Sequence, residues 1–202
     1  MLAALTGAGL SAAAGLNAYI PFLIVALMAR FTDVIDLPTQ FAWIETNWAI
    51  GAAAVLLLGE VVFDKIPVID HINDAVGTFV RPASGGLIFA ATQAAEDFEQ
   101  GSSFMADNPW IGVVLGIVTA GIVHTGKAVT RPVVNASTLG IGAPLVSTAE
   151  DTASVGLSFV AIFFPIIVIF VLLLLLWGGI ALWRSGRRRR REREQAVTAY
   201  YG

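Results

Sequence analysis

The sequence predicts an all-α, polytopic helical membrane protein with about six crossings, two of them short, broken or re-entrant. Hydrophobic residues make up 56% of the 202 positions and charged residues 13%, whereas a soluble domain averages about 45–50% and about 25%. Seven of the 12 basic residues lie between Arg184 and Arg193, and the preceding part of the chain is acidic. This composition excludes a soluble enzyme domain, a disordered chain and a basic nucleic-acid-binding domain.

Four apolar stretches approach or exceed the roughly 20 residues that a helix needs to cross the hydrocarbon core. They lie at about positions 5–31, 48–67, 110–125 and 155–183. The last stretch contains Pro165, which removes a backbone hydrogen bond and favours a kink. The sequence therefore predicts a transmembrane helical domain over 1–183 and a basic cytoplasmic tail over 184–202.

Two weaker stretches, 83–95 and 133–149, are short and rich in small residues. They fit either thin crossings inside a bundle or re-entrant segments, because irregular backbone at membrane depth must be buried in protein or line a cavity. Each follows an Arg-Pro pair and ends in Ala-Glu-Asp. This recurrence suggests an internal repeat that relates 48–97 to 110–151.

Charge favours six crossings over four. With the arginine-rich tail in the cytoplasm, six crossings place Lys127 and Arg131 inside, and the acidic segments 96–107 and 150–151 outside. That arrangement follows the positive-inside rule. We therefore expect a multi-pass protein of the bacterial inner membrane with cytoplasmic N- and C-termini.

The strongest polar string is Glu60, Asp64 and Lys65, followed by Pro67. Glu60 and Asp64 are four residues apart and share one helical face. A carboxylate within a membrane is costly and usually faces a cavity or a partner. These residues are candidates for a proton- or cation-handling site. The alternative is that they are solvated at a helix end that reaches the membrane–water interface.

A second polar string contains Lys127, Arg131, Asn135 and Ser137 among small residues and prolines. A broken helix here would expose backbone amides near two cations, which could hold an anion. The alternative is a closely packed, hydroxyl-rich helix.

Two acidic pairs, Glu96 with Asp97 and Glu150 with Asp151, are candidate metal ligands, because hard cations bind several carboxylate oxygens. The alternative is that both pairs are solvated helix ends. Cysteine is absent and the two histidines are far apart in sequence, so we expect no zinc site and no cofactor.

Three motifs carry a resemblance to a known family: GLSAAAGLNAYIP at 9–21, EVVFDKIPVID at 60–70 and STAED at 147–151. Together they resemble the uncharacterised bacterial multi-pass membrane protein family DUF4126, over roughly positions 7 to 160. The resemblance implies that these motifs occur together as one unit. It implies no particular activity.

The residues favour a small integral membrane transporter or channel for a small ion or solute, with Glu60 and Asp64 as coupling or selectivity carboxylates. The expected partners are membrane lipids, the transported species and further copies of the chain, with no nucleic acid. The alternative is a non-transporting scaffold or lipid-interacting subunit. An enzyme is not expected, because HExxH and GxSxG motifs are missing.

Overall fold

The computed structural model describes residues 2–64, 66, 69–99, 107–138, 142–178, 180–181 and 184. The described chain is all-α, as predicted, and contains no strand. Besides one 3-10 turn, Ala42–Glu45, its helices are α1 Leu2–Leu16, α2 Tyr19–Phe31, α3 Asn47–Phe63, α4 Ile69–Glu99, α5 Pro109–Ser137, α6 Ala143–Phe163 and α7 Pro165–Gly178. The chain divides into two compact units, Met1–Val168 and Ile169–Gly202. The predicted boundary after residue 183 stays a prediction.

Helices α1, α4, α5 and α6 form the core of the first unit. Helices α4 and α5 are antiparallel and meet through glycine, so that a methyl group added at Gly116 would collide with the Gly85 carbonyl oxygen. A methyl group added at Gly112 would lie 2.8 Å from the Cα of Ala90. The two helices therefore touch backbone to backbone, as small residues allow in helical membrane proteins.

Helix α1 crosses the centre of this core and runs antiparallel to both α4 and α6. The Ser11 hydroxyl donates a 2.8 Å hydrogen bond to the Gly85 carbonyl of α4. On the α6 side, the Ser154 hydroxyl donates to the Ala13 carbonyl at 3.0 Å, and Gly9 faces Ala161. These contacts bury a row of alanines in α1.

The distribution of polarity is inverted relative to that of a soluble protein. Arg81 is 0% exposed and Asp64 is 1% exposed, whereas Phe79 is 79% exposed and Leu145 is 74% exposed. Two segments, Pro109–Arg131 of α5 and all of α6, are long and apolar enough to cross a membrane by length and composition. Four shorter helices are apolar as well.

The predicted weak segment 83–95 is not a separate element. It belongs to α4, which runs unbroken from Ile69 to Glu99 with Pro82 inside it. Proline removes only one backbone hydrogen bond, and α4 is held on both sides of Pro82 by side-chain contacts from other helices. The expectation of a short, broken or re-entrant segment here is therefore wrong.

The second weak segment, 133–149, is divided between two helices. Its first residues end α5 at Ser137, and its last residues begin α6 at Ala143. It is therefore a connection between two long helices and not a crossing of its own. Pro165 acts as predicted, because α6 ends at Phe163 and α7 begins at Pro165.

The predicted topology is also corrected. Gly7 of α1 lies against Phe89, Gly112 lies against Ala90, and Gly9 lies against Ala161. The start of α1, the end of α4, the start of α5 and the end of α6 therefore share one end of the bundle. The prediction of six crossings put the end of α4 and the start of α1 on opposite sides of a membrane, which this arrangement of the helices contradicts.

Candidate functional site

Ionised side chains from four helices meet in the half of the bundle away from the start of α1. Their charges are carried by carboxylates, guanidinium groups and one ammonium group, most of them deeply buried. We call this set the charge cluster: Glu60 and Asp64 of α3, Asp74 and Arg81 of α4, Lys127 and Arg131 of α5, and Glu150 of α6.

Asp64 is the centre of the charge cluster. Its Oδ2 atom lies 2.8 Å from Arg131 Nη2, 3.3 Å from Lys127 Nζ and 3.8 Å from Arg81 Nη2. Its other oxygen accepts a hydrogen bond from the Asn73 amide. Both oxygens are therefore occupied, and the carboxylate is shared by cations from two helices.

Glu60, one helical turn earlier on the same face of α3, is paired on one side only. Arg81 donates from Nη2 at 2.7 Å and from Nε at 3.2 Å, and both bonds go to Oε1 of Glu60. The Oε2 atom is buried and has no hydrogen-bond partner among the described residues. Glu60 is thus a carboxylate with one oxygen in use and one unused.

Arg81 links Glu60 to α5 through His124. Its Nη1 atom lies 3.2 Å from Asp74 Oδ1 and 3.0 Å from His124 Nδ1. A guanidinium group can only donate, so His124 Nδ1 is an acceptor and the ring is neutral with its proton on Nε2. His124 Nε2 lies 3.1 Å from Thr78 Oγ1, which accepts the hydrogen bond from this N–H group.

Glu150 closes the cluster from α6. It pairs with Arg131, and its Oε2 atom lies 3.0 Å from Lys127 Nζ. The sequence-based topology placed Glu150 outside a membrane and both cations inside, which direct contact rules out. The neighbouring Asp151 accepts a 2.9 Å hydrogen bond from the Asn17 amide.

The break between α1 and α2 lies beside the cluster. Lys127 Nζ donates to the Leu16 carbonyl at 3.0 Å, and the Ser84 hydroxyl donates to the Ala18 carbonyl at 2.6 Å. Asn17 Oδ1 accepts from the backbone amides of Tyr19 and Ile20. Side chains thus satisfy backbone groups that an interrupted helix leaves open.

Two cavities adjoin the cluster. One has a volume of about 20 Å³ and lies between Glu60, Arg81, Asn73 and Tyr19. The other is an open cavity of about 490 Å³ along α4 and α5, with a largely apolar lining that includes Ile117, Ile122 and His124. His124 therefore separates the larger cavity from Arg81.

The structure brings four of the predicted site residues together: Glu60, Asp64, Lys127 and Arg131. Glu150 joins them as an ion-pair partner. The predictions for Lys65 and for the side chains of Asn135, Ser137, Glu96 and Asp97 lie outside the described residues. Among the described side chains, no group of three or more His, Asp or Glu residues could hold a metal ion.

Sequence analysis missed the contributions of α4 and of the helix break. Asp74, which was not among the predicted site residues, lies in α4 and contacts Arg81. The spacing of Asp74 and Arg81, seven residues apart, places both on one helical face. Helical spacing also places polar residues on one face of α5, where His124, Lys127 and Arg131 are separated by three and four residues.

These features define the class of the protein: an α-helical bundle with an apolar exterior and a buried charge cluster beside a broken helix. The chain belongs to the family described as "Domain of unknown function (DUF4126)", which matches residues 4–185. No curated protein and no solved structure matches the chain.

Proposed function

We propose that the protein is a multi-pass membrane transporter or channel for a small ion or solute. The observation that carries this proposal is the charge cluster at the break between α1 and α2. In transport proteins, binding sites form where helices are interrupted at membrane depth, because the free backbone groups and nearby charges can contact a solute. Ionisable residues inside membrane segments mark such pathways.

The inverted polarity of the first unit supports placement in a membrane. Exposed residues such as Phe79 and Leu145 would be solvated by lipid, whereas their exposure to water would leave a large apolar surface. Helices α4 and α5, with 31 and 29 residues, exceed the roughly 20 residues that a crossing requires. We therefore propose lipid contact along the outer faces of both helices.

We propose the bacterial inner membrane, with both termini in the cytoplasm. The arginine-rich segment supports this orientation, because the positive-inside rule counts Lys and Arg and gives little weight to acidic residues. In this orientation the end of α4 at Glu99 and the start of α5 at Pro109 face the cytoplasm together with the start of α1. The turn after Ser137 faces the other side.

Single cysteines introduced at Ser102 and Thr138 test this orientation. In intact cells, we expect an impermeant thiol reagent to label position 138 and not position 102. A permeant reagent should label both, which controls for folding and access. Labelling of 102 alone would reverse the orientation, and labelling of both by the impermeant reagent would contradict a crossing by α5.

The two carboxylates of α3 have different roles in this proposal. Asp64 holds Lys127 and Arg131 in place, and so acts as the selectivity carboxylate by fixing the charge of the site. Glu60 has an unused oxygen and acts as the coupling carboxylate. The larger cavity beside His124 offers a place for a solute of low polarity to approach the cluster from the bundle surface.

Flux measurements on the purified protein in liposomes test the proposal. The wild type should conduct at least one species from a panel of monovalent cations, protons and small anions. Glu60→Gln, which keeps the side-chain shape, should lose that flux, and Glu45→Gln, before α3, should keep it. Equal flux in wild type and Glu60→Gln would remove Glu60 from the mechanism.

The second candidate function is a non-transporting scaffold or lipid-interacting subunit. The three cations around Asp64 favour it, because paired charges can hold helices together in a protein that transports no solute. On this alternative no species crosses the liposome membrane for the wild type or for Glu60→Gln. The variant then only lowers the melting temperature, because Arg81 loses its buried carboxylate partner. The predicted homo-oligomer and the absence of enzyme activity stay predictions.

A further inference from the structure

We propose that Glu60 Oε2 is the binding site of a single exchangeable proton, which makes the proton the coupling ion of the proposed transport. This proposal rests on the proposed function for its role, but the site itself stands on the geometry around Glu60. The proton binds in the cavity of about 20 Å³ between α2, α3 and α4.

The charge of the cluster identifies Glu60 as the place for an added positive charge. The described side chains of the cluster, four carboxylates and three cations, sum to one negative charge. Both oxygens of Asp64 are occupied, whereas Glu60 Oε2 has no partner. Glu60 is therefore the carboxylate of the cluster that keeps an unused buried oxygen, and its side chain is 6% exposed.

Every element packed against Glu60 contributes to this environment. Arg81 contacts Glu60 from α4 and is itself paired with Asp74, and the uncharged Tyr19 borders the cavity from α2. The other charged or titratable groups belong to its own helix, to α5 and to α6: Asp64, His124, Lys127, Arg131 and Glu150. His124 accepts a hydrogen bond from Arg81 and is neutral, so it adds no fourth cation.

The size and lining of the cavity favour a proton over a metal ion. A volume of 20 Å³ exceeds the roughly 10–15 Å³ that one water molecule needs. Val76 and Val80 form part of the wall and offer no side-chain oxygen. Hard divalent cations bind about six to eight oxygens, more than the residues that line this cavity offer.

The chemical step is a proton transfer without electron transfer. A hydronium ion in the cavity gives its proton to Glu60 Oε2, an O–H bond forms there, and neutral water remains. The reverse step returns the carboxylate. Arg81 can stay bonded to Oε1 in both states, so protonation changes the charge of the cluster by one without breaking its contact with α4.

Infrared difference spectroscopy of the full-length protein in detergent tests the site independently of transport. On acidification, the wild type and Glu45→Gln should gain the carbonyl band of a protonated carboxylic acid, with a shift in D₂O. Glu60→Gln should lack one such band per chain. An unchanged band in folded Glu60→Gln would overturn the proposal.

A second variant keeps the test decisive if Glu60→Gln does not fold. A methyl group added at Gly77 would lie 3.1 Å from Arg81 Cζ and reduce the cavity, whereas Gly121 faces open space. Hydrogen–deuterium exchange of the acid band should therefore slow several-fold in Gly77→Ala and stay unchanged in Gly121→Ala. Equal exchange in both variants would place the proton elsewhere.

Two further outcomes test whether the bound ion is a proton or a metal cation, and whether the site serves transport. If NaCl raises the melting temperature of the wild type above its value in choline chloride, and does not do so for Glu60→Gln, a metal cation binds and the proton proposal is overturned. If the acid band depends on Glu60 but wild-type liposomes pass no species of the panel, the proton site is supported and the transport proposal fails.

Discussion

In the half of the bundle near the start of α1, helices meet through glycine and alanine, and the contact between Gly116 and Gly85 leaves no room for a side chain. In the other half, the same helices meet through long charged side chains that radiate around Asp64. Packing in the first half requires residues with small side chains or none, whereas packing in the second half requires side chains of opposite charge.

This difference assigns separate tasks to the two ends of α4 and α5. The glycine contact fixes the distance between their backbones through van der Waals packing, which has no preferred charge state. The charge cluster fixes which side chains face each other, and its balance changes when one proton is added or removed. The same helix pair therefore has one end whose contact is independent of charge and one end whose contact depends on it.

Removal of the central charge should have the largest effect. Asp64→Ala leaves Arg81, Lys127 and Arg131 without their shared carboxylate, and breaking a buried ion pair costs roughly 3–5 kcal/mol. We expect a large fall in the melting temperature and in the yield of monodisperse protein. Asp33→Ala, at an exposed loop position, should match the wild type. A wild-type melting temperature for Asp64→Ala would mean that the three cations do not depend on it.

Added volume in the glycine contact should have the next largest effect. In Gly116→Ala the new methyl group meets the Gly85 carbonyl, which is backbone and cannot rotate away, so we expect a loss of about 1–3 kcal/mol. Gly121→Ala, in the same helix but facing open space, should gain up to about 1 kcal/mol from its better helix propensity. Unfolding in denaturant measures the free energy of unfolding of each variant, which should fall for Gly116→Ala and rise for Gly121→Ala. Equal stability would show that α4 and α5 do not touch as described.

The helix break, which lies between the two regions, should show the smallest effect. Asn17→Ala removes the acceptor for two backbone amides of α2 and the donor to Asp151, and the loss of an N-cap costs about 0.5–2 kcal/mol. Asn47→Ala, at an exposed position at the start of α3, is the matched control. If thermal melting shows Asn17→Ala to be as stable as Asn47→Ala, the break does not need its cap.

Much of the helical framework could be predicted from the sequence, because apolar stretches of this length favour helix over strand. Glu60 and Asp64 were also found, since a carboxylate after an uncharged apolar run is unusual. The continuity of α4 was missed, because Arg81-Pro82 is typical of a helix boundary. Only packing against other helices, which a local pattern does not show, keeps the helix intact there.

The topology failed for a different reason. The positive-inside rule concerns charges that face water, and the prediction applied it to Lys127, Arg131 and Glu150. In the structure these three side chains neutralise one another inside the bundle, so they carry no information about the side of a membrane. Glu150 is 19 residues from Arg131 and 23 from Lys127 in sequence, so no local sequence pattern indicates that they pair.

Synthesis of the chain adds the charges of the cluster in a fixed order. Helix α3 emerges first with two carboxylates, and α4 contributes one charge of each sign, so the nascent protein stays negative through residue 99. Lys127 and Arg131 of α5 bring the sum to zero. Glu150, on the last helix of the cluster, then creates the surplus negative charge. The cluster therefore reaches its final charge only when Glu150, 90 positions after Glu60, has been translated.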